Sequence, residues 1–116
     1  MIQEQKWGDF TRVLVVDEEN HGSVIVKIPH SDELKAESSA DAILYALYVD
    51  EPYRHKGVAK QLMEMAEAKA RNMHCKTIAL EWDRREAEQW VFNFYERSGY
   101  VEKEFGRYNA LMVKEL

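Results

Sequence analysis

Arg54-His55-Lys56-Gly57-Val58-Ala59-Lys60 joins a strand-like apolar run, Ile43 to Val49, to an amphipathic helical pattern that begins at Val58. The first backbone N–H groups of a helix have no partner inside it and carry the positive end of its dipole. A glycine and small residues there, flanked by fixed cations, predict a cradle for a phosphate-like anion. No Ser, Thr, Asp or Asn precedes Val58 as a cap, and the first turn carries Lys60 where the dipole favours an acid. A bound anion accounts for both features; a solvated run of surface charge is the plainer alternative.

Upstream, Thr11 to Val16 and Ser23 to Ile28 are rich in β-branched residues and are separated by the polar stretch Asp17 to Gly22, which reads as a hairpin. Pro29 to Asp41 is polar and acidic, either an excursion loop or one short helix around Glu33 to Glu37. Ile43 to Val49 is almost continuously apolar, the pattern of a central strand covered on both faces. Downstream, Val58, Leu62, Met65, Ala66 and Met73 form one stripe of a helix over Val58 to Met73, with Lys60, Glu64, Glu67 and Arg71 elsewhere. Thr77 to Trp82 follows as a short strand, and the helix between two strands predicts a right-handed crossover onto a parallel neighbour. A second helix, Glu86 to Ser98, repeats the period through Ala87, Trp90, Val91, Phe94 and Tyr95 and stops at Gly99, a left-handed cap position. Tyr100 to Phe105 and Tyr108 to Lys114 flank Gly106-Arg107 as a closing hairpin.

The chain has 116 residues, 46% hydrophobic, enough for a single domain over residues 1–116 that buries somewhat over ~60% of its unfolded surface. Its net charge of −5 argues against a general nucleic-acid or anionic-membrane binder, so any phosphate contact is local. The charge changes sign abruptly at Arg54. From Ser31 to Glu51 the acids Asp32, Glu33, Glu37, Asp41, Asp50 and Glu51 face the single base Lys35, and this hints weakly at a cationic partner. Cys75 has no possible intrachain disulfide partner, and the first residues lack an apolar signal core; a cytoplasmic location is expected. His21, His30, His55 and His74 are not spaced with cysteines or carboxylates as metal ligands, so no structural metal is expected.

Two segments together resemble the GNAT superfamily of acyl-CoA-dependent N-acyltransferases. Leu47 to Ala59 fits the family's pyrophosphate-loop pattern, [Q/R]-x-x-G-x-[G/A], at Arg54, Gly57 and Ala59, and Tyr95 with Gly99-Tyr100 fits its helix-end pattern. The resemblance covers Thr11 to the C-terminus. It implies an α/β fold (α+β in some schemes) with a mixed, mostly antiparallel sheet, a central pair of parallel strands that splay apart, and two main helices. It further implies acetyl-CoA as co-substrate. The pantetheine arm would lie along the backbone of Leu47, Tyr48 and Val49, one of whose N–H groups could polarise the thioester carbonyl. The diphosphate would lie on Arg54, His55, Lys56, Gly57, Val58, Ala59 and Lys60. Tyr95 is implied to protonate the departing thiolate, and Glu81 to serve as general base, with Asp83 and Glu88 as substitutes. The plainer alternatives are that Tyr95 is a core aromatic of its helix, and Glu81 a surface charge or a partner for Arg84 or Arg85.

The chain departs from the family pattern in three places. Glu88 stands where many members have an asparagine two turns before the tyrosine. Asp83 to Glu86 is about two residues longer than usual. Only Met1 to Phe10 precedes the hairpin, where the family has a strand and two helices that wall the acceptor site. The acceptor groove is therefore open, built from the Pro29 to Asp41 excursion, or completed by a second subunit in a homodimer. The function implied is transfer of an acetyl group to a primary amine. The alternatives are a non-catalytic acyl-CoA-binding module, and an interaction domain anchored on Trp7, Trp82, Trp90 and Phe92.

Overall fold

The computed structural model describes all 116 residues, Met1 to Leu116. The elements run β1 (Ile2–Trp7), β2 (Phe10–Val16), β3 (Gly22–Pro29), α1 (Asp32–Glu37), β4 (Ala42–Val49), α2 (Val58–Asn72), β5 (Thr77–Asp83), α3 (Gln89–Arg97), β6 (Val101–Phe105) and β7 (Asn109–Glu115). They form one seven-stranded sheet in the order β1-β2-β3-β4-β5-β7-β6. Every neighbouring pair is antiparallel except β4 and β5, which are parallel and joined through α2. The mixed sheet and its one parallel pair are as the resemblance implied.

Alternation places the core on one side of this sheet. Thr11, Val13 and Val15 of β2, Val24, Val26 and Ile28 of β3, Ala42 and Leu44 of β4, Ile78, Leu80 and Trp82 of β5, and Ala110 and Met112 of β7 are all buried. Against them α2 packs Leu62, Met63, Ala66 and Ala70, and α3 packs Phe92 and Tyr95. On the opposite face Leu14, Ile25, Ile43, Leu111 and Val113 are only half-buried, and the short α1 is the one helix of the chain that is not part of the core.

Several elements differ from their sequence reading. The segment Met1 to Phe10 contains an edge strand, β1, tied to β2 from Ile2–Val15 to Trp7–Phe10; all six of its residues are exposed, so no apolar alternation marked it. The acidic excursion carries the short helix, α1, capped by Ser31 Oγ accepting from Leu34 N at 3.2 Å. In α2 the buried stripe is rotated towards Met63, Glu67 and Ala70, while Val58, Met65 and Met73 are only partly buried. Glu67, read as a surface position, is 3% exposed. Its carboxylate accepts from Tyr100 Oη and from Lys114 Nζ, each at 2.9 Å, which joins α2 to the far end of the sheet. The second long helix begins at Gln89 rather than Glu86, because residues 84–87 turn back onto Asp83: Glu86 N and Ala87 N both donate to the Asp83 carbonyl. Of the four aromatics considered as partner anchors, Trp82 and Phe92 are core, stacked edge to face at 5.2 Å, whereas Trp7 and Trp90 are exposed.

Candidate active site

The site originates in a disagreement between β4 and its two neighbours. Opposite β3 the register slips: Tyr45 pairs with Ile25 and Tyr48 with Ser23, so Ala46 and Leu47 together oppose Val24. Ala46 takes a left-handed φ of 55°, the signature of a bulge that bends the strand. Opposite β5 the parallel pairing consists of Ala42–Ile78 and Ile43–Ala79 and then ends. Beyond Ile43 the two strands diverge and open a V through the sheet. The run Ile43 to Val49 is therefore not covered on both faces as its apolar sequence predicted. Tyr45, Ala46 and Tyr48 are exposed, and the run lines a cleft.

Two cavities meet at this V. The first, about 960 Å³, opens on the face away from α2 and α3, among Lys27, Ile43, Tyr45, Ala79, Glu81 and Leu111, with Glu37, Ser38 and Ser39 at one rim. The second, about 680 Å³, lies between the end of β4, the loop before α2, and α3. Leu47, Glu86 and Tyr95 line both. The acidic excursion thus contributes to the first cavity, which otherwise lies open.

The second cavity collects the expected anion-binding residues. Leu47, Tyr48, Val49, Arg54, His55, Gly57, Ala59 and Lys60 all line it. Six consecutive backbone N–H groups, His55 to Lys60, have no hydrogen-bond partner in the protein; the first bond of α2 is Gln61 N to the Gly57 carbonyl at 3.1 Å. No side chain caps the helix. The chain reverses here by taking left-handed φ values at His55 (63°) and Gly57 (87°), and open space surrounds the position a Gly57 Cβ would occupy. Successive amides turned to one side form a concave donor surface suited to a diphosphate. Arg54 is fixed beside it, its Nε donating to the Val49 carbonyl at 2.8 Å and its guanidinium 5.8 Å from the Tyr48 ring centre. Two members of the expected set stand apart. Val58 packs against the core, and the Lys56 ammonium turns to the Tyr53 ring, 5.8 Å from its centre, so neither side chain lines the cavity. Trp90, unnoticed as a site residue, lines it and packs against His55 at 4.8 Å.

Tyr95 stands at the junction. A Schellman motif ends α3: Tyr100 N donates to the Tyr95 carbonyl at 3.1 Å and Gly99 N to the Glu96 carbonyl at 3.0 Å, with Gly99 at φ 97°. The same turn packs Tyr100 against Tyr95, ring centres 6.3 Å apart. Tyr95 is 9% exposed, yet its hydroxyl makes no hydrogen bond within the protein. Burial pushes its pKa up, which keeps the phenol protonated and able to donate.

Of the carboxylates, Glu81 lines the first cavity, its Oε2 held by Asn109 Nδ2 at 3.4 Å. Asp83 is already engaged: Arg85 grips both carboxylate oxygens, at 3.1 and 2.8 Å, and these hydrogen bonds hold its pKa below the usual carboxylate range. Glu88 lies on the other cavity, where Oε2 accepts from Trp90 Nε1 at 2.9 Å. Glu81 is thus the one of the three that lines the first cavity. Glu86, Glu104 and Asn109 also line this first cavity. Only the fold brings them there from three separate segments, so no local pattern could have marked them.

A splayed parallel pair with a diphosphate-type cradle on one side and an open cavity on the other defines an acyl-CoA-type acyltransferase. The sequence profile described as the Acetyltransferase (GNAT) family matches residues 3–100, and the chain belongs to that family. No curated protein matches the chain in sequence. Among solved structures it resembles an acetyltransferase from Bacillus cereus (TM-score 0.69, 23% identity, 99% of this chain and 74% of that one). It also resembles the PaiA N-acetyltransferase from Thermoplasma acidophilum in complex with coenzyme A (TM-score 0.71, 22% identity, 93% and 62%). A third likeness is to a GNAT-family acetyltransferase from Listeria monocytogenes (TM-score 0.66, 21% identity, 94% and 65%). At these identities the likeness is one of fold.

Proposed function

We propose that the protein is an N-acetyltransferase that moves an acetyl group from acetyl-CoA directly to a primary amine, in the cytoplasm. The observation that carries this reading is Tyr95, a residue 9% exposed that lines both cavities and whose hydroxyl, unpartnered within the protein, is left open to solvent. In this reading the diphosphate rests on the free amides of His55, Gly57, Ala59 and Lys60 with the Arg54 and Lys60 side chains beside it, and the pantetheine arm follows Leu47 to Val49. The thioester then reaches the V. The amine, entering from the Glu81 side, forms the new C–N bond at the acyl carbon as the C–S bond breaks. Tyr95 gives its proton to the leaving sulfur and is reprotonated from solvent. Glu81, directly or through water, takes the proton the nitrogen loses. No cysteine lines either cavity. Cys75 is buried near the start of β4, with burial pushing its pKa up, so an acyl-cysteine intermediate has no nucleophile to form on.

Calorimetric titration with acetyl-CoA and with acetyl-pantetheine, followed by mass-spectrometric detection of acetylated amines, tests the reading. Binding that needs the diphosphate, together with amine-dependent release of the CoA thiol, is expected. Absence of acetyl-CoA binding would remove it. Binding without transfer to any amine would leave a non-catalytic acyl-CoA module.

A further inference from the structure

The first cavity is charged in one sense. Glu37 at the end of α1, Glu81 on β5, Glu86 in the turn before α3 and Glu104 on β6 line it, against Lys27 alone. Glu37, Glu86 and Glu104 have neither an ion-pair nor a hydrogen-bond partner for their carboxylates, and the Lys27 ammonium is turned onto the Phe10 ring, 4.1 Å from its centre. Unpaired carboxylates on several sides of one concave surface add their fields there and raise the local concentration of cations. Among them stand the apolar side chains of Ile43, Leu47, Ala79 and Leu111. Tyr95, a residue nine-tenths buried, lines the same space, and its hydroxyl has no partner within the protein and is open to solvent there.

We infer that the acceptor is a small linear alkyl di- or polyamine, an inference that rests on the acetyltransferase reading above. A polymethylene chain matches the apolar side chains, and the carboxylates match ammonium groups at its ends. The cavity volume, about 960 Å³, is ample for such a chain. One terminal nitrogen, unprotonated, attacks the thioester carbon: the C–N bond forms, the C–S bond breaks, and the thiolate is protonated. The distal ammonium keeps its proton and its charge and stays among the carboxylates. Glu37 and Glu104 are positioning residues, acting on the end of the substrate that does not react.

The test compares straight-chain monoamines with α,ω-diamines of equal length and with a linear triamine, at saturating acetyl-CoA. The expected result is a kcat/KM at least about tenfold higher for the diamine, shrinking as salt is raised from about 0.02 to about 0.5 M. Glu104→Gln and Glu37→Gln should each lower the diamine's kcat/KM about three- to tenfold through its KM, with the KM of acetyl-CoA unchanged. Both residues are exposed, and unchanged thermal midpoints would show that the variants fold. Equal kcat/KM for mono- and diamines overturns the inference, as does a lysine peptide that outpaces every diamine. Acetyl-CoA binding with no amine acetylated also overturns it while leaving the cofactor side intact. A protein that fails to bind acetyl-CoA removes both readings.

Discussion

The hydroxyl of Tyr95 is where the physical chemistry of one residue decides between core and catalyst. A buried phenol ordinarily finds an acceptor, as Tyr100 does in Glu67 at 2.9 Å. Tyr95 keeps its ring in the core and leaves its hydroxyl to the cleft. Tyr95→Phe should therefore cost little stability and leave acetyl-CoA affinity within about twofold, while kcat falls about 100-fold, the lower end for a lost general acid. An unchanged kcat would return Tyr95 to the core. The two tyrosines also predict a stability trend. Both have pKa values raised, Tyr95 by burial and Tyr100 by burial and then by the Glu67 carboxylate. Above the ordinary tyrosine pKa of about 10 the unfolded chain loses these protons while the folded chain retains them, so stability falls as pH rises beyond that point. Each tyrosine contributes a slope of at most about 1.4 kcal/mol per pH unit. Urea unfolding of Tyr100→Phe between about pH 10 and 11.5 should show a shallower loss than the parent; an identical slope would refute the assignment.

Among the elements, the loop into α2 is the one the proposed function leans on most, and it does so through backbone. Gly57 at φ 87° has free space around its missing Cβ, so Gly57→Ala is opposed by backbone strain alone, about 1–2 kcal/mol. A thermal midpoint about 5–10 °C lower is expected. If the free amides of this loop hold the diphosphate, the variant should bind acetyl-CoA more weakly but acetyl-pantetheine as before; an equal loss for both ligands would point to general disorder of the site. This loop was legible in the sequence because glycine, cations and a missing cap leave a local mark. Tyr95 with Gly99 was legible for the same reason. The charged lining of the first cavity was not, since Glu104 reaches Glu81 and Glu86 only when β6 folds back beside β7, and Glu37 comes from α1. Nor was β1, whose exposed residues show no alternation, nor the burial of Glu67, which looks like any helical surface acid until Lys114 and Tyr100 arrive from β7 and the end of α3. The apolar run of β4 was read as a strand correctly and as doubly covered wrongly, because residues that line a cleft and residues that fill a core have the same composition.

At the scale of the molecule, the two cavities lie on opposite faces of one sheet and communicate through the V between β4 and β5. The helical side has Arg54, Lys60 and free amides beside Glu86 and Glu88, and the other side has Glu37, Glu81, Glu86 and Glu104 against Lys27, so in the proposed reaction the two substrates approach from different sides. Tyr95 is reached from both sides, and no cysteine thiol lies between them to store an acyl group. The proposed direct transfer needs both substrates to be present together before any bond changes. Initial velocities measured across a grid of acetyl-CoA and amine concentrations should therefore give intersecting reciprocal plots. Free CoA should compete with acetyl-CoA but not with the amine, since it occupies only the amide cradle and the arm of the V beside β4. Parallel reciprocal plots, with release of CoA thiol before any amine is added, would mean that the chain holds the acetyl group itself. A nucleophile other than Cys75 would then have to be sought among the hydroxyls at the rim, Ser38 and Ser39.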